Sequence, residues 1–265
     1  MAESVRFFRF PHLMAVPGLV HGVSQRHGGA SPAPYASLNL SLAVGDEPDR
    51  VVENRRRLAT ALGIPVEGLV FAQQVHGRGV SRVTAADRGR GLTDRGDALP
   101  ATDALYTDTP GVYLCLLFAD CVPVLVVDPR RRLVGLAHAG WQGTAQGVAR
   151  ALVETLRAAA GVDPADLLVG IGPSIGPCCY TVRAEVLRAL QAEEPALEAV
   201  VRPAGPDQWR LDLWAANRRQ VERAGVPPER IVLAGLCTRC HQTDYYSHRA
   251  EGQTGRFAAV IGFRP

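Results

Sequence analysis

Residues 111–128 are almost continuously apolar, and this stretch limits the fold more than any other. It is the nearest approach to a membrane span, yet crossing a bilayer takes about 18 apolar residues without such interruptions. Asp120, Pro123 and the β-branched content instead mark it as two strands flanking Ala119-Asp120-Cys121. A turn through Asp128-Pro129 and Arg130-Arg131-Arg132 then leads to a third strand, 133–138. Strand patterns recur at 19–24, 69–75, 167–171, 231–235 and 257–262. Helices are predicted at 47–62, 183–193, 212–224 and 144–160, the last with Val148, Leu152 and Leu156 at four-residue spacing. Strands and helices mix without regular alternation. The class is therefore α/β (α+β), with mixed β-sheets flanked by helices. No linker-like stretch divides the chain, so residues 1–265 read as a single domain. Residues 88–101, rich in glycine and charge and without periodicity, are expected to be a mobile loop that could cover a site.

Composition removes several function classes. All 29 basic residues are arginine, so no Schiff-base, P-loop or kinase lysine is available. A phosphate must be held by arginine forks or backbone amides. The net charge of +3 is mild, and the runs Arg55-Arg56-Arg57 and Arg130-Arg131-Arg132 suit a solvated helix face or a hairpin tip. Neither nucleic acid nor a membrane is expected as a partner. The N-terminus, with Glu3 and no apolar run behind it, does not read as a secretory signal. Six cysteines in a chain this long are not a disulfide scaffold, and a reduced, cytoplasmic setting is expected.

His76, Cys121 and His138 each fall where a predicted strand gives way to a turn, beside small residues such as Gly77, Ala119, Ala139 and Gly140. Two imidazoles and a thiolate suit Zn²⁺, with Cu²⁺ as the other candidate, and three protein ligands leave a fourth position for water or substrate. Taken singly, each has an ordinary explanation: a packed thiol, or a histidine hydrogen-bonded at a strand end. Their spacing of 45 and 17 residues carries little motif information of its own.

Other groupings compete. Cys237-Thr238-Arg239-Cys240-His241 has the form of a redox pair, half a zinc site or a haem anchor. A structural zinc wants a second pair, and adjacent Cys178-Cys179 has the wrong spacing for a knuckle, so two packed thiols are the simpler expectation. Gly170-Ile171-Gly172-Pro173-Ser174-Ile175-Gly176 fails as a dinucleotide fingerprint, since its third glycine is late and Pro173 breaks the helix. Gly140-Trp141-Gln142-Gly143 precedes a predicted helix, where free amides can hold an anion or Thr144 can serve as an ordinary cap. Arg26, Asn39, Arg249 and Arg256 are further polar candidates.

Together these motifs resemble a known family. Arg26-x-Gly28-Gly29, Ser37-Leu38-Asn39-Leu40, Asn54-Arg55, Gln74-Val75-His76-Gly77 and Asp120-Cys121-Val122-Pro123 occur in its order. So do His138-Ala139-Gly140-Trp141-Gln142-Gly143, Gly172-Pro173-Ser174-Ile175-Gly176, Ser247-His248-Arg249 and Thr254-Gly255-Arg256. The pattern is similar to the laccase-domain, or YfiH-like, family from about residue 19 to 262. Its members are described as purine nucleoside phosphorylases and formerly as polyphenol oxidases or peptidoglycan-editing factors.

The resemblance implies a four-layer α/β/β/α sandwich and a zinc site of His76, Cys121 and His138. It implies phosphorolysis of adenosine, inosine and guanosine, with methylthioadenosine phosphorylase and adenosine deaminase activities alongside. Purine nucleoside and phosphate would then be the partners, in a monomer or small homo-oligomer. From the residues themselves, Asp120 beside Cys121 is the nearest carboxylate in sequence to shuttle a proton in deamination, and Arg26, Asn39, Gly140, Arg249 and Arg256 are the groups available to hold substrate. Gln25 departs from the threonine expected before Arg26. The laccase label itself fails on ligand count: a multicopper site consumes about ten histidines in His-x-His pairs. This chain has seven histidines and no such pair. Two alternatives stay open: a Cys–His hydrolase using Cys121 and His138, and a metal-binding regulatory factor in peptidoglycan precursor synthesis.

Overall fold

The apolar stretch at 111–128 forms two strands that belong to different sheets, and this crossing organises the whole molecule. The computed structural model describes residues 4–192 and 197–265. A five-stranded sheet runs in the order β1 (Phe7–Phe8), β2 (Leu19–Ser24), β14 (Phe257–Phe263), β6 (Tyr113–Phe118) and β3 (Leu69–Phe71), with the short helix α1 (Pro11–Met14) joining β1 to β2. A six-stranded sheet runs β13 (Ile231–Leu233), β9 (Leu168–Ile171), β7 (Val122–Asp128), β8 (Leu133–Ala139), β5 (Ala104–Thr107) and β4 (Val80–Arg82). Both are mixed: β3 and β6 are parallel, as are β4 with β5 and β9 with β13, and the other pairs are antiparallel.

Period-two alternation explains the layering. Leu125 and Val127 of β7 face the layer between the sheets, with Val134 and Leu136 of β8 and Leu114, Leu116 and Phe118 of β6. The opposite face of β7, Val122, Val124 and Val126, packs under α4 (Val148–Ala160) and α6 (Leu213–Arg223). Tyr113 and Cys115 of β6 turn outward onto Leu58 and Leu62 of α2 (Pro48–Leu62). The result is helix, sheet, sheet, helix: the four-layer α/β/β/α sandwich. Because both faces of each central strand are covered, truncating a residue such as Leu136 to alanine costs about 2–5 kcal/mol.

The helices follow local chemistry. α2 begins with Pro48 and Asp49 in its first turn and stops at Gly63, whose φ is 65°. Asp212 caps α6 by accepting from the Ala215 amide. The helix expected at 144–160 is instead two: α3 (Trp141–Ala145) and α4, separated by Gly147 at φ 77°, a left-handed conformation that interrupts helical bonding. Thr144 is not a cap. It lies inside α3, and its hydroxyl accepts from Asn217.

Other expectations also shift. The strand at 69–75 ends at Phe71, because the chain then turns away to carry His76. The helix placed at 183–193 is α5 (Ala184–Gln191), and residue 193 lies outside the described residues. A hairpin of β11 (Val201–Gly205) and β12 (Gln208–Leu211) extends the short β10 (Thr181–Val182), and no sequence pattern announced it. Residues 88–101 are tied down rather than loose: Phe71 N–H donates to Arg90 O, and Leu99 N–H to Phe71 O.

Arg55 departs most from its expected solvated position. It is 2% exposed and donates to the carbonyls of Leu40, Gly91 and Leu92. Its guanidinium lies 3.9 Å from the Phe71 ring centre. Burial pulls its pKa down to about 10, so it stays charged at neutral pH. Among the described residues, no helix is long and apolar enough to cross a membrane.

Candidate metal centre and cavity

His138 lies one residue before the end of β8 and shares its alternation with Val134 and Leu136, so it points into the inter-sheet layer. There its ring meets Phe118 with centroids 5.4 Å apart. Cys121 ends the bend Ala119-Asp120-Cys121, where the chain passes from β6 in one sheet to β7 in the other. His76 stands on a turn with φ 60°, its ring centre 4.8 Å from that of His138. The three ligand atoms lie within 4.8 Å of one another. Tetrahedral zinc with nitrogen and sulfur ligands spans edges of about 3.5 Å, so small adjustments close the group on one ion. The donor set fits that metal.

Asp103, which the sequence did not single out, organises the group. It is wholly buried. One oxygen accepts from His138 Nδ1 at 2.9 Å and from the His76 amide at 3.0 Å. The other accepts from the amides of Val75 at 3.1 Å and Gly77 at 2.7 Å. A carboxylate can only accept there, so His138 carries its proton on Nδ1 and turns Nε2 toward Cys121. Burial opposes charge on Asp103, but the bonds from His138, Gly77 and Val75 hold its carboxyl below the usual range. Burial likewise opposes the Cys121 thiolate, but His138 and His76 outweigh it and push the thiol down. His138 moves up in turn: Cys121 and Asp103 overcome its own desolvation.

Gly140 makes the space. A Cβ there would stand 2.9 Å from Cys121 Sγ and 3.0 Å from His76 Cδ2, closer than side chains tolerate. Its φ of −70° is ordinary, so glycine is needed for room and not for conformation.

The group lies at a cavity of about 510 Å³, in the size range of small-molecule sites. Asp120, Gly140, Arg249 and Arg256 from the sequence-derived set line it, together with Tyr180 and Arg95. Asp120 has φ 84° and is held there by its own bonds. One oxygen accepts from the Thr238 hydroxyl at 2.7 Å, the other from the Arg249 amide at 2.7 Å. Arg249 donates to Thr181 O and stacks on Tyr180 at 4.8 Å. Arg256 donates to the carbonyls of Thr254 and Gly255.

Arg26 and Asn39 are placed differently. Arg26 pairs with Glu251 at 2.8 Å and lies over Tyr246, away from the cavity lining. Asn39 is wholly buried and bonded to Ser41, Asp46 and the Arg256 amide. It fixes the backbone on which Arg256 is mounted.

The chain is similar to known proteins over most of its length. The purine nucleoside phosphorylase YlmD of Geobacillus stearothermophilus is 48% identical over 249 residues, 93% of this chain and 91% of that protein. The purine nucleoside phosphorylase YfiH of Escherichia coli is 37% identical over 238 residues, 90% of this chain and 91% of that one. The crystal structure of YlmD from Geobacillus stearothermophilus aligns with a TM-score of 0.92 at 47% identity, covering 94% and 93% of the two chains. A family model described as multi-copper polyphenol oxidoreductase laccase matches residues 20–264, and the chain belongs to that family.

Proposed function

We propose that this protein is a zinc-dependent purine nucleoside phosphorylase. It would cleave adenosine, inosine and guanosine with phosphate to the free base and ribose 1-phosphate, and methylthioadenosine in the same way. The supporting observation is the union, in one cavity, of an open three-ligand group with Arg249 and Arg256 on the wall. The relatives' names, purine nucleoside phosphorylase, support the reaction class alone. His76, Cys121 and His138 would hold the ion, which supplies a Lewis acid with one position open to the ligand.

The chain's own groups account for the remaining requirements. With no lysine present, Arg249 and Arg256 hold the phosphate dianion. An oxygen of the hydrogen phosphate dianion forms a bond to the anomeric carbon as the carbon–nitrogen bond breaks; the departing electron pair goes to the base, which takes up the proton that the phosphate gives away. The apolar wall around Leu117, Ala119 and Ile175 keeps water from competing for the same carbon. Adenosine deaminase activity belongs to the same reading. Asp120 is its carboxylate, acting from a fixed position because each oxygen already accepts one bond. Copper can occupy the same ligands, but laccase chemistry cannot follow. Among the described residues the only other potential metal-binding group consists of four cysteines, so no histidine-rich trinuclear cluster is built.

Metal-quantified protein incubated with adenosine, with and without phosphate, tests the proposal. Adenine and ribose 1-phosphate should form only with phosphate, and inosine should form without it. No adenine in either arm would overturn the phosphorylase reading. One observation favours a second reading: Asp103, His138 and Cys121 stand in the order carboxylate, imidazole, thiol, as in a cysteine hydrolase. That reading requires turnover in chelator and covalent labelling of Cys121.

A further inference from the structure

Four sulfurs meet outside the cavity. Cys178 and Cys179 lie in a turn after Gly176, where the amides of Cys179 and Tyr180 both donate to Gly176 O. Cys237 and Cys240 form a second turn, with the amides of Cys240 and His241 donating to Cys237 O. The turns are far apart in sequence but joined by a parallel bridge between Ser174 and Cys237. Ser174 N–H donates to Leu236 O at 3.1 Å and Thr238 N–H to Ser174 O at 3.0 Å. The Gly176 amide donates to Cys237 Sγ at 3.3 Å, a contact that favours sulfur carrying negative charge.

All four sulfurs lie within 4.8 Å of one another, and none is in a disulfide. Cys240 Sγ is 3.6 Å from Cys178 Sγ and 3.5 Å from Cys179 Sγ. A zinc ion with sulfur at about 2.3 Å gives tetrahedral edges of about 3.8 Å, so two edges are already near their final length. Adjacent cysteines do not make a knuckle, but the fold supplies the missing pair from another turn. Cys178 and Cys240 are exposed, which gives an ion a way in.

We propose that Cys178, Cys179, Cys237 and Cys240 form a second metal site, a tetrathiolate for a soft divalent cation of the Zn²⁺ class. With four protein ligands it has no open position, so its role is structural, and each thiol releases its proton as the ion binds. The clasp bears on the cavity. Thr238, next to Cys237, donates to Asp120 Oδ1, and the Ile175 amide donates to Asp120 O. Tyr180, next to Cys179, forms part of the cavity wall. Fastening the two turns therefore fixes Asp120 in its left-handed conformation beside Cys121.

The test is the metal content of the full chain, saturated with Zn²⁺ under reductant and then desalted. About two equivalents per chain are expected, falling to about one in the Cys178→Ser/Cys240→Ser double variant and to about one in Cys121→Ala. Zinc-edge X-ray absorption of the unaltered protein adds a reading that depends on no variant folding. It should give about 2.5 sulfurs per zinc, the mean of four and one, against about one if only the first centre fills. A single equivalent with one sulfur, or a disulfide among these four cysteines in protein kept reduced, overturns the site.

Discussion

Asp103→Asn is the most incisive single change, because it alters one atom and tests how the metal ligands are held. The carboxylate accepts four bonds: His138 Nδ1 and the His76 amide on one oxygen, the Val75 and Gly77 amides on the other. Asparagine keeps one oxygen and turns an NH₂ group toward two donors. About two bonds to a charged acceptor are lost, at about 1.5–3 kcal/mol each, for a ceiling near ~3–6 kcal/mol before the turn relaxes. Part of that cost falls on folding. Part falls on ion affinity, since His138 loses its orienting partner or His76 its φ 60° turn. Loss of such an outer partner weakens zinc binding about 10–100-fold. Competition against a chromophoric chelator measures the affinity, and urea unfolding of the metal-free protein measures the rest. A variant that binds zinc within about twofold of the parent would refute the assignment of Asp103 as the positioning residue.

Further expectations follow from other parts of the site and the fold. Cys121→Ala and His138→Ala should each abolish retention of the first ion and nucleoside cleavage together; turnover that persists in metal-free protein removes the ion from the reaction. Gly140→Ala should cut metal content at that centre while leaving the circular dichroism spectrum intact, because its Cβ would sit 2.9 Å from Cys121 Sγ. Arg249→Ala should raise the KM for phosphate about 10–100-fold with a smaller effect on the nucleoside, as loss of a charge-assisted contact does; equal effects on both would count against its role. His21 supplies a pH test away from the metal. Burial, then the charges of Arg9 and His12, push its pKa down to about 4, and the Phe10 amide donates to its ring nitrogen at 3.0 Å. The unfolded chain therefore binds the proton first. The stabilisation is complete above about pH 6.5 and is lost as pH falls toward about 4, by at most ~3 kcal/mol. Urea unfolding across that range should show the slope in the parent and lose it in His21→Gln.

Much of the fold was legible because its signals are local. The strands around Ala119-Asp120-Cys121 declare themselves by apolar content, and α2 by Pro48 and Gly63 at its ends. The hairpin of β11 and β12 gave no such sign, since most of its side chains face water and alternation has no buried face to record. The break between α3 and α4 was hidden by the reverse effect. Val148, Leu152 and Leu156 keep helical spacing, and only Gly147 and its positive φ interrupt what precedes them. Arg55 misled for a third reason. Its two arginine neighbours made the run look solvated, whereas a carbonyl-lined recess formed by Leu40, Gly91 and Leu92 is a tertiary product with no trace in residues 55–57.

The three candidate ligands were visible as residue types at strand ends, but what brings them together was not. His138 is aimed by the alternation of β8, which a sequence can report, whereas Asp103 acts across 35 residues to His138 and 27 to the His76 amide. One buried carboxylate before a short strand looks like many others in the chain. The cysteines show the same limit from the other side. Cys237 and Cys240 were conspicuous, and adjacency disqualified Cys178 and Cys179 as a partner pair, because spacing rules describe ligands that share one turn. Here two turns contribute, and the bridge from Ser174 to Cys237 brings them together. Ligand spacing is therefore a test of local sites alone. A site assembled from separate turns is governed by the hydrogen bonds between their backbones, and those exist only once the sheets have formed.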